Sequence, residues 1–428
     1  MALPEAKQSA TEARIAALDL PSGAGWAKAA RESALARVVA MGLPDRRDEY
    51  WKFTRPDTLV QPVAPEAALF DPHETPIFDT LDRLRIVFVD GVFDPEASDD
   101  LTLEGVAIER LADATQADIH WARDFYGVLE TRGQDPVART LAALNTAAAP
   151  DGIVLHVTGK VSKPVNLIYH HKSKTSDAML HHLVKLDPDA SLTLLETGPG
   201  AARLNTVTEV DVADRAAFYH VRVQGRDHER RAVTHLFSRL GEESAFKSFT
   251  VTVNGMLTRN ECVIELTGDD AVAHVAGAAM GDGDFQHDDT VFVTHDAERC
   301  ESRQVFKKVL RNGATGVFQG KILVKAGAQK TDGYQISQSL LLDGDSQFLA
   351  KPELEIYADD VVCSHGSTSG AIDEEALFYL RARGVPHEIA TDLLTLAFLA
   401  EAVEEVEDEA LREEVVGHLT GWLERRRG

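Results

Sequence analysis

Two residues best suited to chemistry lie two positions apart, Cys363 and His365, in the stretch LEIYADDVVCSHGSTSG (354–370). A thiolate and an imidazole can both ligate a soft metal or the iron of an iron–sulfur fragment. The preceding LEIYADDVV has strand character. If the strand continues, both side chains share one face, with Cα atoms ~6.5–7 Å apart. Ser364 then points away. Two ligands cannot complete four-coordination, so a site here must borrow others from elsewhere, such as a second chain. Taken alone, the residues favour the plainer reading of a buried cysteine beside a hydrogen-bonded histidine.

Other constellations are weaker. GSTSG (366–370) has the outline of a nucleophile elbow between a strand and a helix. Its centre is Thr368, however, and the expected helix starts too late for the required immediate turn. The pairs His170-His171 and His181-His182 put at most one imidazole on each face of a strand and read as solvated strand histidines. GVFQGKI (316–322) lacks the glycine spacing and the Ser/Thr of a phosphate-binding loop. No HExxH occurs.

These residues must be positioned by a β-rich middle. From about residue 152, helical periodicity gives way for some 210 residues to short alternating runs such as SFTVTVNG, CVIELTG and TVFVTHD. Phe249, Val251 and Val253 share a strand face and are expected to point into the interior. Asn-Gly or Asp-Gly pairs at 151, 254, 282, 312, 332 and 343 read as turns. The pattern allows a sandwich, a barrel or a solenoid. Before it, residues 1–150 mix helices with one hairpin. Trp26, Ala30, Ala34, Val38 and Met41 repeat at helical spacing up to Gly42 and Pro44. RIVFVDGVF predicts a tight hairpin at Asp90-Gly91, and Asp135 and Pro136 predict the start of a helix running to about 148.

After residue 370 the chain turns helical. Ile389, Leu393, Leu396, Ala397, Ala400 and Val403 form an apolar stripe, which Leu394, Phe398 and Ala402 widen beyond one packing face. The surplus suggests a docking surface, and removal of residues 387–428 is expected to leave the β core folded. The divisions are therefore 1–150, 151–365 and 366–428.

Composition narrows the classes. Across 428 residues, 44 basic and 69 acidic side chains give a net charge of −25, which disfavours nucleic acid as a ligand. Three widely spaced cysteines fit reduced thiols and a cytoplasmic location. No segment reads as a signal peptide or membrane span.

The sequence resembles the SufB/SufD family of iron–sulfur cluster assembly proteins, and within it the SufD branch. The match is carried by GLPDRRDEYWKFT (42–54), IVFVDGVFDP (86–95), LAALNTA (141–147), LLLDGDSQFLAKPELEIYADDVVCSHGSTSG (340–370) and EEALFYLRARG (374–384), in family order. The resemblance implies a right-handed parallel β-helix between helical N- and C-terminal regions. It implies a non-catalytic scaffold of a SufBCD complex that helps build or deliver clusters and aids iron acquisition. The implied partners are a SufB-like scaffold and a SufC-like ABC ATPase. The ATPase would dock on the C-terminal helices through Ile389, Leu393, Leu394, Leu396 and Phe398. His365, with Cys363 assisting, would hold iron or a transient cluster at the SufB–SufD interface, with no tightly bound cofactor. A purely structural partner of SufB and a homodimeric iron-handling protein are the alternatives.

Overall fold

The computed structural model describes residues 3–69, 76–225 and 229–426. The middle of the chain winds alternately between two ten-stranded sheets. The first runs Val92–Phe93, Leu84–Val89, Val165–His170, Ser191–Thr197, Ala217–Gln224, Ala245–Val253, Val272–Asp282, Glu301–Arg311, Asp332–Leu341 and Val362–Gly370. The second begins at Thr102–Leu103 and ends at Thr315–Val324 and Gln347–Ile356. Within each sheet, successive coils pair in parallel, in register; Phe246 lies beside Phe218 on one side and Ala273 on the other. Such pairing needs a crossover between partners, and here the strand of the opposite sheet is that crossover. The fold is thus a parallel β-solenoid of about seven turns, flanked by helices. Among the described residues, no helix is long and apolar enough to cross a membrane.

One corner repeats every 26–31 residues. Asp189, Arg215, Glu243, Asp270, Arg299 and Lys330 all adopt positive φ. The backbone N–H of Arg215 donates to Glu242 on the next coil, that of Glu243 to Asp269, and that of Asp270 to Glu298. The residue after each is small and buried: Ala190, Ala216, Ser244, Ala271, Cys300, Thr331. A bulky side chain there would push neighbouring coils apart. Cys300 is therefore a packing residue, and burial raises its thiol pKa. Cys262 faces the core, and burial pushes its thiol up to about 12.

Phe249, Val251 and Val253 do share a face and are buried, but that face is the outer one. They pack with Leu399, Val403, Val415 and Trp422 of the C-terminal helices His387–Val403 and Glu409–Arg425. The interior is lined instead by residues of opposite parity such as Phe218, Phe246, Ala273 and Phe306. Removing residues 387–428 would strip this cover, so the core and tail are not independent. Residues before 150 also enter the sheets: Leu84–Val89 pairs with Val165–His170, and Val106–Arg110 with Ile153–Val157.

The hairpin forms with positive φ at Asp90 and Gly91, and the early helix spans Gly25–Met41. The later helix starts at Thr140 rather than near Asp135. The intervening loop is held by Arg139, whose buried guanidinium pairs with Glu261 and donates to Val137 O. His181 and His182 are buried, contrary to expectation. They face opposite sides, His181 against Glu209 at 2.8 Å and His182 against Tyr169 at 3.1 Å, because helices cover the outer face and the opposite sheet closes the inner one. Burial pushes His182 down to about 4, so it is neutral.

Candidate functional site

Val362–Gly370 is the last strand of the first sheet, paired on one side with Asp332–Leu341 and on the other with nothing among the described residues. Cys363 lies beside Gly333 and His365 beside Gln335. Gln335 is fully buried and donates to Gln304 on the preceding coil at 2.8 Å. That row faces the interior, so Cys363 and His365 stand on the inner edge of the solenoid's open mouth. The shared face expected from their spacing is realised.

The two residues differ in setting. Cys363 is half-buried and packs on the last interior cluster with Ile322, Val324 and Ala358. Asp332-Gly333, expected as a turn, instead opens a strand. A Cβ on Gly333 would lie 3.2 Å from Cys363 Sγ, so glycine makes room for the sulfur. Burial raises the thiol pKa, and Asp332 adds to the rise, so Cys363 is a neutral thiol in the isolated chain. A metal or a partner's cation would be needed to make it a thiolate. His365 is exposed and makes no hydrogen bond to any described residue. Among the described residues, no group of three or more His, Cys, Asp or Glu is gathered to hold a metal. The pair therefore has no third ligand from the described part of its own chain. Thr368 lies within the strand and the next helix begins at Glu374, so no nucleophile elbow exists.

The second sheet ends at Gln347–Ile356, which has no outer neighbour among the described residues. Around the mouth Ile356, Tyr357 and Val362 are exposed. The segment around 45–54 reaches this strand along the outer face. Tyr50 Oη donates to Glu353 at 2.6 Å, Trp51 stacks under Arg259 at 4.1 Å, and Lys351 pairs with Glu49 at 2.7 Å. This stretch acts as a strap holding the last coils.

The expected docking residues divide. Ile389 and Leu393 are exposed and Leu394 is half-buried. Leu396 and Phe398 pack against the sheet, Phe398 beneath the Lys307 ammonium at 4.6 Å. The buried stripe of this helix is Ala390, Asp392, Thr395, Leu399, Ala402 and Val403, not the one read from the sequence. The sheet beneath presents small Ala276 and Ala278 beside basic Arg303 and Lys307. Glu405 and Glu401 meet those cations, which turns larger apolar residues outward. Phe378 and Tyr379, on the adjoining helix Glu374–Ala382, are 73% and 55% exposed and were not singled out from sequence. Their signal was available: adjacent helix positions lie about 100° apart, so two consecutive aromatics in a nine-residue helix need an unusually wide covering surface.

The chain is thus an open-ended parallel β-solenoid with Cys363 and His365 together on its rim. The family model for the SUF system FeS cluster assembly SufBD core domain matches residues 169–398, and that for the SufBD protein N-terminal region matches residues 24–167. The chain belongs to the SufBD family. It is 29% identical to the iron-sulfur cluster assembly protein SufD of Escherichia coli over 90% of each chain. It is 26% identical to Protein ABCI7, chloroplastic, of Arabidopsis thaliana over 92% of this chain and 85% of the relative. Against SufD of Bacillus subtilis the identity is 28% over 64% of this chain and 65% of the relative. It is a SufD-like protein of the SUF iron–sulfur cluster assembly system.

Proposed function

We propose that this chain is the SufD-like scaffold subunit of a SufBCD complex in the cytoplasm, and that its open end pairs with a SufB-like scaffold. One observation supports the reading: at the mouth the nine-residue strand Val362–Gly370 has no outer neighbour among the described residues, and it presents an exposed His365 with no described ligand partner. Unpaired strands offer a row of backbone donors and acceptors to another chain. Pairing there would bring the partner's ligands to His365 and Cys363. The cargo is iron or a nascent cluster, held transiently. His365 would bind through a neutral imidazole nitrogen, and Cys363 would assist once a metal or cation stabilises its thiolate.

A SufC-like ATPase is proposed to dock on the exposed apolar residues of the two helices after the rim, Phe378, Tyr379, Ile389 and Leu393, with Leu394 at the edge. In this reading the chain does no catalysis itself and contributes to iron acquisition by completing the site. The test is co-expression with both partners. Phe378→Glu combined with Leu393→Glu should lose the ATPase while retaining the SufB-like chain and the unfolding midpoint of wild type. Full ATPase recovery with this variant would place docking elsewhere. A chain that recovers as a homodimer and binds neither partner would favour an independent iron-handling role.

A further inference from the structure

The solenoid interior holds an arginine that no carboxylate among the described residues pairs with. Arg230 is fully buried. Its terminal nitrogens make only two long contacts, to Pro199 O and Thr258 Oγ1, each at 3.4 Å. Its Nε has no partner, and no carboxylate among the described residues pairs with it. It lines a small internal cavity together with Arg222, Thr206, Thr234 and Glu196. Thr206 Oγ1 also lacks a partner.

Among the described residues, the nearby charges leave one positive charge over. Arg222 donates to Glu196 at 2.6 Å and to Thr234 Oγ1 at 2.9 Å. Burial opposes the charge on Glu196, but Arg222 and His220 outweigh it and hold the carboxyl well below its ordinary range. That pair cancels. Burial lowers His220 and His182, so both are neutral near pH 7. Further along, Lys308 cancels Asp289. Arg230 remains. Burial and the like charge of Arg222 push it down to about 9, which still leaves it protonated at neutral pH. An isolated buried cation is costly unless something neutralises it.

We propose that the cavity between Arg222 and Arg230 binds one small monovalent anion, a halide or hydrosulfide. Arg230 and Thr206 both line it, each with a buried polar atom left without a partner, and one negative charge would balance the described charges. Size sets the class. The cavity measures ≈ 10 Å³, room for about one water-sized sphere. Phosphate and sulfate are too large. The site lies inside the coil, away from the rim residues, and does not depend on the scaffold reading.

The test uses crystals of the full chain soaked in sodium bromide, with diffraction at the bromine edge. One anomalous peak within hydrogen-bonding distance of the Arg230 guanidinium is expected. An anaerobic hydrosulfide soak then separates the sources: loss of the peak assigns hydrosulfide as the stronger ligand, and retention assigns halide. Density for water without a bromine signal overturns the proposal. In solution, bromide replacing gluconate at fixed ionic strength should raise the wild-type unfolding midpoint, and Arg230→Met should abolish that rise. An equal rise in both proteins would also overturn it. The diffraction result stands even if the variant does not fold.

Discussion

The two ends of the solenoid are treated differently. At the first, Val92–Phe93 folds back antiparallel on Leu84–Val89, and Val106–Arg110 runs antiparallel to Ile153–Val157. Phe93, Leu101 and Leu103 close over the core. At the other, Gln347–Ile356 and Val362–Gly370 have no outer neighbour among the described residues. Even these two edges differ. Gln347–Ile356 carries Lys351, Pro352 and Glu353, features that discourage further pairing. Val362–Gly370 reads VCSHGSTSG, with no charged residue and no proline. In the proposed reading, this bare strand is the one that takes the partner. The strand that can accept a neighbour is also the one that carries Cys363 and His365.

Substitutions at the two ends should separate sharply. Phe88 is fully buried at the closed end, in edge contact with Phe93 and His182. Phe88→Ala should cost about 3–5 kcal/mol in urea unfolding of the isolated chain. A loss below ~1 kcal/mol would mean that the closed end is not part of the cooperative core.

Histidines extend the comparison to pH. Burial lowers His182, His235 and His295 to about 4 and His287 to about 3, against an ordinary value near 6.5. The folded chain keeps them neutral while the unfolded chain takes up protons. Stability is therefore full above about pH 6.5 and falls as pH drops toward 4, on the order of several kcal/mol in total. Urea unfolding at pH 7.0, 6.0 and 5.0 checks this, and an unchanged midpoint would contradict it.

A smaller effect is expected at the rim. The Val362 N–H donates back to Thr331 O, so strand alternation directs the Ser367 N–H outward. Ser367→Pro should change the isolated chain by about 1 kcal/mol or less, yet reduce recovery of the SufB-like partner about tenfold. Undiminished recovery would move the interface off this strand. Smallest of all, Ser364→Ala should change neither stability nor iron content, since Ser364 faces away from the mouth.

Much of this was legible in the residues. Alternation announced strands, Asp90-Gly91 announced its hairpin, and the two-residue spacing placed Cys363 and His365 on one face. Alternation does not say which face is inside when helices cover the outer one, so Phe249, Val251 and Val253 were assigned to the wrong side of their sheet. The coil period was missed because the repeating element is conformational. A positive-φ residue followed by a small one recurs, but as Asp-Ala, Arg-Ala, Glu-Ser and Arg-Cys. The helical stripe failed for a related reason: Arg303 and Lys307 lie about 80–100 residues earlier in sequence and draw Glu401 and Glu405 inward. The buried cavity at Arg230 leaves no local signal, since its partners come from different coils.

The central claim is that the open mouth is a half-site completed by a SufB-like chain. The most direct measurement compares wild type with His365→Ala after co-expression with both partners, reading complex recovery by gel filtration and iron and sulfide per complex. The account predicts normal recovery with most of the iron and sulfide lost. Normal recovery with normal iron and sulfide would contradict it and leave the chain as a purely structural partner.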